Sequence, residues 1–556
     1  MTFLPIVGRE LRVAARRRGT YWVRFGVALA AILISGWMLL TLPSAGAGAR
    51  PSGLGIFCVL ASLGFVFCLT AGMGATADCL SAEKRDGTLG LLFLTDLRGY
   101  DVVLGKLAAT SLGALYSLLT ILPVIALPLL LGGVNPRAVA LVGGALLNTL
   151  LFSLAAGMLV SAVSRDERKA GTGTAALILL IAGILPLLGA ILEESATWPW
   201  RRQWAWFLYL PSPGFAFGKA LQLAGSPGAA ADYWWSLLTV HGEVWLFLGL
   251  ACGILPRTWS ERALAAAKPG GGRARWQQWC YGNAIEKRRL RERLLEINPI
   301  TWLCGRNRFS RAAPWLFLLF VALGWIAGYW RVRGDWLAAP VDITFVLLLH
   351  GVLKYHLAGE ACRRLAEDRR SGALELLLST PLSTREIVQG QWTALRRQFA
   401  GPFLAVLVSD GFLLLAARQN SSLEPQDADR LTLMFMAGMI VLAADAFTLI
   451  WLGMWCGLRA ATYTRAWSLT MFWALALPWV IFLVTVSTAG ALELWRGPEG
   501  PGFDVLLVWW LSLNLGNDLI HFGRALGGLS KEFRTEAARR FQPGAGGGGW
   551  RFWKRR

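Results

Sequence analysis

Phosphate chemistry needs a glycine-rich loop that closes on a lysine, and the two Gly-Lys pairs of the chain, Gly105-Lys106 and Gly218-Lys219, run on into Leu107 and Ala220. Neither completes GxxxxGK followed by Ser or Thr, the spacing at which backbone N–H groups cradle phosphates and a hydroxyl holds Mg2+. No LSGGQ-like stretch occurs, so ATP hydrolysis is not expected in this chain. The histidines His241, His350, His356 and His521 form no HExxH, and no GxSxG supplies a nucleophile for acyl transfer. The 8 cysteines are scattered without a CxxC and read as small hydrophobes rather than disulfides or metal ligands. No catalytic, cofactor or metal residues are expected.

The remaining chemistry is charge set inside apolar sequence. His350 and Lys354 are four apart, as are His356 and Glu360, so each pair shares one face of a helix. Asp410, Asp445, Asn514 and Asp518 also interrupt apolar runs, where an unpaired charge costs about 3 kcal/mol or more. These side chains should face a bundle interior. His350, Lys354, Asp410, Asp445, Asn514 and Asp518 are thus candidates for a substrate path. The plainer reading of the helix carrying His350 to Glu360, and the preferred one, is that it runs past the bilayer with its ends solvated.

Membrane helices must position these groups. The chain is 55% hydrophobic and 16% charged, with 28 Trp, whereas soluble domains carry about 25% charge. A span needs about 20 apolar residues. Six candidates lie in the first half, at 22–42, 54–78, 102–131, 138–163, 171–192 and 234–256, and six in the second, at 314–331, 341–361, 395–417, 431–458, 466–490 and 503–523. The first run, despite the SAGAGA after it, is expected to be a retained span rather than a signal peptide. A basic segment at 3–20, and Pro299 to Arg311 in the second half, should lie in the interface before each first span. The glycines, Gly132-Gly133 and Gly143-Gly144 among them, suit close helix approach.

The net charge of +21 sits between apolar runs rather than on one soluble face, so a nucleic-acid partner is not expected. With both termini inside, about 45 of the 55 Lys and Arg are cytoplasmic and about 10 are outside, as the positive-inside rule demands. The loop 193–233 is rich in Trp and Pro and suits the outer interface, with re-entrant helices as one way to seat it.

The chain contains a duplication. AEKRDGTLGLLFLTDLRGYDVVLGK, residues 82–106, aligns without a gap to EDRRSGALELLLSTPLSTREIVQGQ, residues 367–391, at an offset of 285. Gly87 matches Gly372, Leu91 and Leu92 match Leu376 and Leu377, Thr95 matches Thr380 and Gly105 matches Gly390, with Glu83 opposite Asp368 and Asp101 opposite Glu386. Further on, Gly157-Met158 matches Gly453-Met454 and Lys169-Ala170 matches Arg465-Ala466 at an offset of 296, an insertion that falls in the polar loop 418–430. Each copy reads as a charged turn, leucines at helical spacing and a Thr able to cap the next turn, and so as a short amphipathic helix at a membrane surface.

This stretch resembles the cytoplasmic segment between the second and third spans of type-2 ATP-binding-cassette permeases, commonly E-x-x-x-G-T-L-E-x-L-L-x-T-P followed by G-K. The first copy departs from it at Gly90 and Asp96, the second at Ala373 and Gln391. The resemblance implies that Glu83, Gly87, Thr88, Leu91, Leu92 and Thr95, and Asp368, Gly372, Glu375, Leu376, Leu377, Thr380 and Pro381, contact an ATPase. The carboxylates would cap the helix start, the glycines would need a positive φ, and the leucines would enter a groove of the partner.

The expected fold is all-α: a polytopic membrane protein of two tandem six-span halves, 1–256 and 299–523, related by an axis normal to the membrane. A basic cytoplasmic linker at 257–298 contains a flexible KPGGGR, and a basic cytoplasmic tail follows at 524–556. The implied function is the permease of an ATP-driven exporter in a bacterial-type cytoplasmic (inner) membrane, working with two separate ABC ATPase subunits that hold the ATP and Mg2+. Its other partners are membrane lipids and an unidentified substrate. The alternatives are a membrane scaffold passing ATPase motion to an extracytoplasmic partner, and an ion-coupled carrier using the intramembrane carboxylates.

Overall fold

The computed structural model describes residues 53–94, 97–131, 134–194, 199–225, 230–258, 284–305, 308–332, 339–419, 425–491 and 502–539, with Gly8 and Gly36 besides. Apart from those two glycines, the interfacial segment 3–20 and the first expected span lie outside them, as do the KPGGGR of the linker and the final WRFWKRR. Every regular element among the described residues is a helix, and ten of the helices are long and apolar enough to cross a membrane. The chain is an all-α, multi-pass membrane protein. It divides into two compact units, one within Met1–Ala267 joined by Gln542–Arg556, the other within Lys268–Phe541.

In the first unit α1 (Gly53–Ala75) turns at residues 76–78 into α2 (Cys79–Arg85), and α3 (Thr88–Phe93) is a short helix beyond it. The spanning helices α4 (Gly99–Ala126), extended by α5 (Pro128–Leu131), and α6 (Pro136–Val163) follow. Asn135 starts α6 by accepting a bond from the Arg137 N–H at 2.9 Å, and Pro136 occupies the first helical position, where no donor is missed. Next come α7 (Glu167–Leu179), a π-turn (Leu180–Ile184) and α8 (Leu185–Glu194), then α9 (Pro199–Tyr209), α10 (Pro213–Gly225) and the last span, α11 (Ala231–Thr258). The helix α6 is the centre of this unit, with α1, α4 and α11 packed around it.

The second unit repeats this order. Two short helices, α12 (Ala284–Leu295) and α13 (Pro299–Gly305), precede α14 (Arg308–Val332), and α15 (Ala339–Arg370) leads to the short α16 (Ala373–Leu378). The spans α17 (Thr384–Gln419) and α18 (Pro425–Arg459) follow, then α19 (Tyr463–Met471), a π-turn (Phe472–Ala476), α20 (Leu477–Ala491), α21 (Phe503–Lys531) and the terminal α22 (Phe533–Ala538). Here α18 is central, packed by α15, α17 and α21. The apolar run within α14, Arg311–Ile326, is shorter than a span, whereas α15 continues beyond the expected 361 to Arg370 and carries its arginines out of the apolar zone.

Corresponding residues make corresponding contacts. A Cβ on Gly157 would strike Thr76, and one on Gly453 would come within 2.7 Å of Ala361, so glycine sets the approach of the second and fourth spans in each unit. Gly143 and Gly144 are less confined, with their nearest neighbours at 3.6 and 3.0 Å, and Gly132-Gly133 lies outside the described residues.

The fifth helices share a second device. Each opens on a side-chain cap, Asp166 or Thr462, and each passes through a π-turn just before Leu185-Pro186 or Leu477-Pro478. Proline has no N–H, so the carbonyl four residues back, Ala182 or Ala474, loses its helical partner. In the first unit the Ser212 hydroxyl donates to Ala182 O at 3.3 Å, and in the second the Asn517 amide donates to Ala474 O at 3.4 Å and Trp473 O at 3.0 Å. In hydrocarbon such substitutes are required.

The two units differ at the loop before the last span. Helices α9 and α10 occupy it in the first unit, where the Trp206 indole donates to Asp232 at 3.2 Å and Tyr209 to Glu193 at 2.9 Å. Burial, then Glu193, pushes the Tyr209 phenol up to about 12, so it remains a donor at neutral pH. In the second unit residues 492–502 join α20 to α21.

Candidate coupling sites and a buried charge cluster

The turn into α3 is made by Gly87 at φ +72°, and the turn into α16 by Gly372 at φ +75°, the two positive-φ glycines among the described residues. A side chain in that region costs about 1–2 kcal/mol, which is why glycine stands at both. Beyond each turn the first leucine anchors the helix: Leu89 and Leu374 are each 1% exposed, within the cores of their units. Two residues on, Leu91 is 65% and Leu376 72% exposed, while Leu92 and Leu377 turn partly back onto the core. Of the leucines expected to meet a partner, Leu91 and Leu376 therefore present the open apolar face. Thr88, Glu375, Thr380 and Pro381 are exposed beside them, and Thr95 lies outside the described residues.

The expected capping roles are not the observed ones. Neither Gly87 nor Gly372, the N-cap of its helix, is bridged by a side chain. Glu83 instead takes an ion pair from Lys106 Nζ at 2.6 Å and a hydrogen bond from the Thr88 hydroxyl. An ammonium outcompetes N–H groups already served by the tight turn. Thr380 donates backwards to Leu377 O at 2.6 Å, which satisfies a carbonyl at the C-terminal end of α16. The next helices are capped by Asp101, which accepts from Arg98 N at 2.9 Å, and by Glu386, which accepts from Ser383 N at 2.7 Å. The S-x-x-E of Ser383 and Glu386 was a readable capping box.

Around these turns the units hold their second and fourth spans together alike. Lys84 donates to Ala162 O and Arg369 to Leu458 O, pairs related by the same offsets of 285 and 296. They part at the position after the glycine of G-K. Lys106 makes its ion pair, whereas Gln391 donates to Ala361 O at 3.2 Å.

The second unit also gathers most of the intramembrane charge. His350 Nε2 lies 2.8 Å from Asp410 Oδ2, and Lys354 Nζ lies 2.5 Å from Asp445 Oδ2, so α15 is pinned to α17 and α18. Asp518 reaches the same place from α21, where Thr448, one turn beyond Asp445, donates to its carbonyl at 3.4 Å. The plainer reading of α15 is therefore corrected: His350 and Lys354 are not solvated ends but partners of interior carboxylates. Solvation holds only toward the C-terminal end of α15, where the Glu367 side chain is partly exposed and Arg363 bridges it to the buried Glu360. Asn514 donates to Trp510 O at 2.7 Å on its own helix, so it is buried beside the cluster rather than tied into it. At the aligned positions the first unit has Phe65, Leu69, Ile125 and Thr149, none of them charged.

Residues 21–267 match the family model of the ABC-2 family transporter proteins. These residues are similar to an ABC-2 transporter membrane domain. No curated protein matches the chain. The ABC-2 match spans both α3 and the Lys106 to Glu83 pair, so the Gly87 turn of the first unit lies wholly inside the matched residues. It stops short of the second unit and its charge cluster.

Within the matched residues a polar group built on Asn148 and His241 lies between spans. Asn148 Oδ1 accepts from His241 Nδ1 at 3.1 Å, the Asn148 amide nitrogen donates to Leu237 O at 2.9 Å, and the Trp245 indole donates to His241 Nε2 at 3.1 Å. Sequence reasoning missed this group, and it missed the roles of Lys106, Ser212 and Asn517. Lys106 was visible as half of G-K, and the other two were signalled only by the prolines they serve.

Proposed function

We propose that the chain is the complete membrane part of an ATP-driven exporter, two permease halves in one polypeptide, worked by two separate ABC ATPase subunits. The observation that supports this best is the pair of exposed leucines, Leu91 and Leu376, at aligned positions behind glycine turns in both units. An apolar side chain on a short helix, anchored by a buried leucine one turn face away, fits insertion into a groove of a partner. Closure of two ATPases on ATP would then move α3 and α16, and with them the spans they cap, between inward-open and outward-open states.

Both termini, the linker 257–298 and the tail are cytoplasmic in this reading, in a bacterial-type inner membrane. The test is transport by inverted vesicles containing the chain and the cassette ATPase that copurifies with it. Uptake into such vesicles should require ATP and survive collapse of ion gradients by ionophores. Uptake abolished by ionophores, or independent of ATP, would overturn the reading.

A further inference from the structure

The charge cluster of the second unit contains more acceptors than its cations can serve. Lys354 satisfies Asp445 Oδ2, and His350 satisfies Asp410 Oδ2. Asp445 Oδ1 and both oxygens of Asp518 are buried and, among the described residues, have no hydrogen-bond donor. Asp518 is 4% exposed and Asp445 1% exposed, and the groups beside the Asp518 carboxyl are the Thr448 hydroxyl, which donates to the Asp518 backbone carbonyl, and the Asp445 carboxyl, itself an acceptor. Two ionised carboxylates cannot hydrogen-bond to one another, and in a low-dielectric interior one of them must take up a positive charge.

The other ionisable groups around the pair do not supply it. From α15 come Lys354, already bound to Asp445, and His350, bound to Asp410 of α17. On α21 itself His521 packs at a tilt against Trp473 of the π-turn, and Arg524 lies nearly two turns further on. The fifth helix carries no charged residue from Ala466 to Ala491.

We propose that Asp445 and Asp518 share a single proton, which makes this pair a proton-binding site in the interior of the second unit. The proton comes from water and forms an O–H bond on Asp518, from which it donates to Asp445 Oδ1. Lys354 neutralises the one negative charge that remains, so the pair, the proton and the ammonium together are neutral. The aligned residue to Asp445 in the first unit is Thr149, which bonds its own helix at Ala145 O, so the site belongs to one unit alone.

Infrared difference spectra of the full chain in lipid nanodiscs at neutral pH test this. Parent minus Asp518→Asn should show one protonated-carboxyl band and no loss of an ionised carboxylate. Asp445→Asn should remove the same band, because Asp518 then becomes the ionised partner of Lys354. Both variants should fold, since an amide is the nearest neutral isostere of the acid. An ionised carboxylate in the Asp518→Asn difference, or a protonated band that survives Asp445→Asn, would overturn the shared proton. So would failure of Asp518→Asn to fold, or carboxylate bands that shift when sodium is exchanged for potassium or choline, the mark of a bound metal cation.

Discussion

Lys106 Nζ lies 2.6 Å from Glu83 Oε1, so the start of α4 is tied to the end of α2 across the Gly87 turn of the first unit. The second unit has Gln391 at the lysine position and makes a neutral bond to Ala361 O there instead. Lys106→Met leaves Glu83 without its cation in a largely buried place and should cost about 1–3 kcal/mol, the penalty of an unsatisfied buried group. Gln391→Met should cost about 1 kcal/mol. Thermal melts of the purified chain check this: the Lys106 variant should melt lower than the Gln391 variant, and adding Glu83→Gln should restore part of the loss. Equal shifts would mean that the ion pair contributes nothing beyond a neutral bond.

The glycine turns are constrained by torsion and not by crowding, because a Cβ at Gly87 or Gly372 would meet nothing within 4 Å. Gly87→Val and Gly372→Val should therefore destabilise α3 and α16 locally by about 1–2 kcal/mol, while Asn, which tolerates positive φ, should cost less. Hydrogen exchange of residues 88–94 and 373–379 should rise in the Val variants and change less in the Asn variants. Protection unchanged in the Val variants would contradict the turn as described.

The proline-facing donors should matter unequally. Asn517→Leu strips two carbonyls, Trp473 O and Ala474 O, of their donor, whereas Ser212→Ala strips only Ala182 O. Each orphaned carbonyl in the apolar interior costs about 1–3 kcal/mol, so Asn517→Leu should lower the unfolding midpoint by the larger amount. Restoring an N–H with Pro478→Ala in the Asn517→Leu background should recover stability. No recovery would show that Asn517 acts through something other than the freed carbonyl.

Length and hydropathy made the helices legible, and the ten described spans fall where apolar runs of that length must lie. The internal repeat was equally legible, since residues paired at 285 and 296, such as Lys84 with Arg369, make the same contact in both units. Partner choice was not. Glu83 had two donors within reach of one carboxylate, and only the fold shows that Lys106, 23 residues on, displaces the helix start. Likewise the spacing of His350 and Lys354 set them on one face, but not whether that face met water or the acids of α17 and α18. Such pairings depend on the depth and rotation of neighbouring helices, which packing fixes and local sequence does not.

The account turns on Leu91 and Leu376 as contacts for the ATPase, and copurification of the cassette ATPase with Leu91→Asp and Leu376→Asp permease tests it most directly. Both side chains are exposed, so the substitutions should leave membrane insertion and melting temperature unchanged. A carboxylate placed in an apolar contact should nevertheless weaken association by about tenfold or more, equivalent to at least about 1.4 kcal/mol. The account predicts loss of the ATPase from both variants, by unequal amounts because the two turns are built differently. Variants that insert, melt and retain the ATPase as the parent does would contradict it.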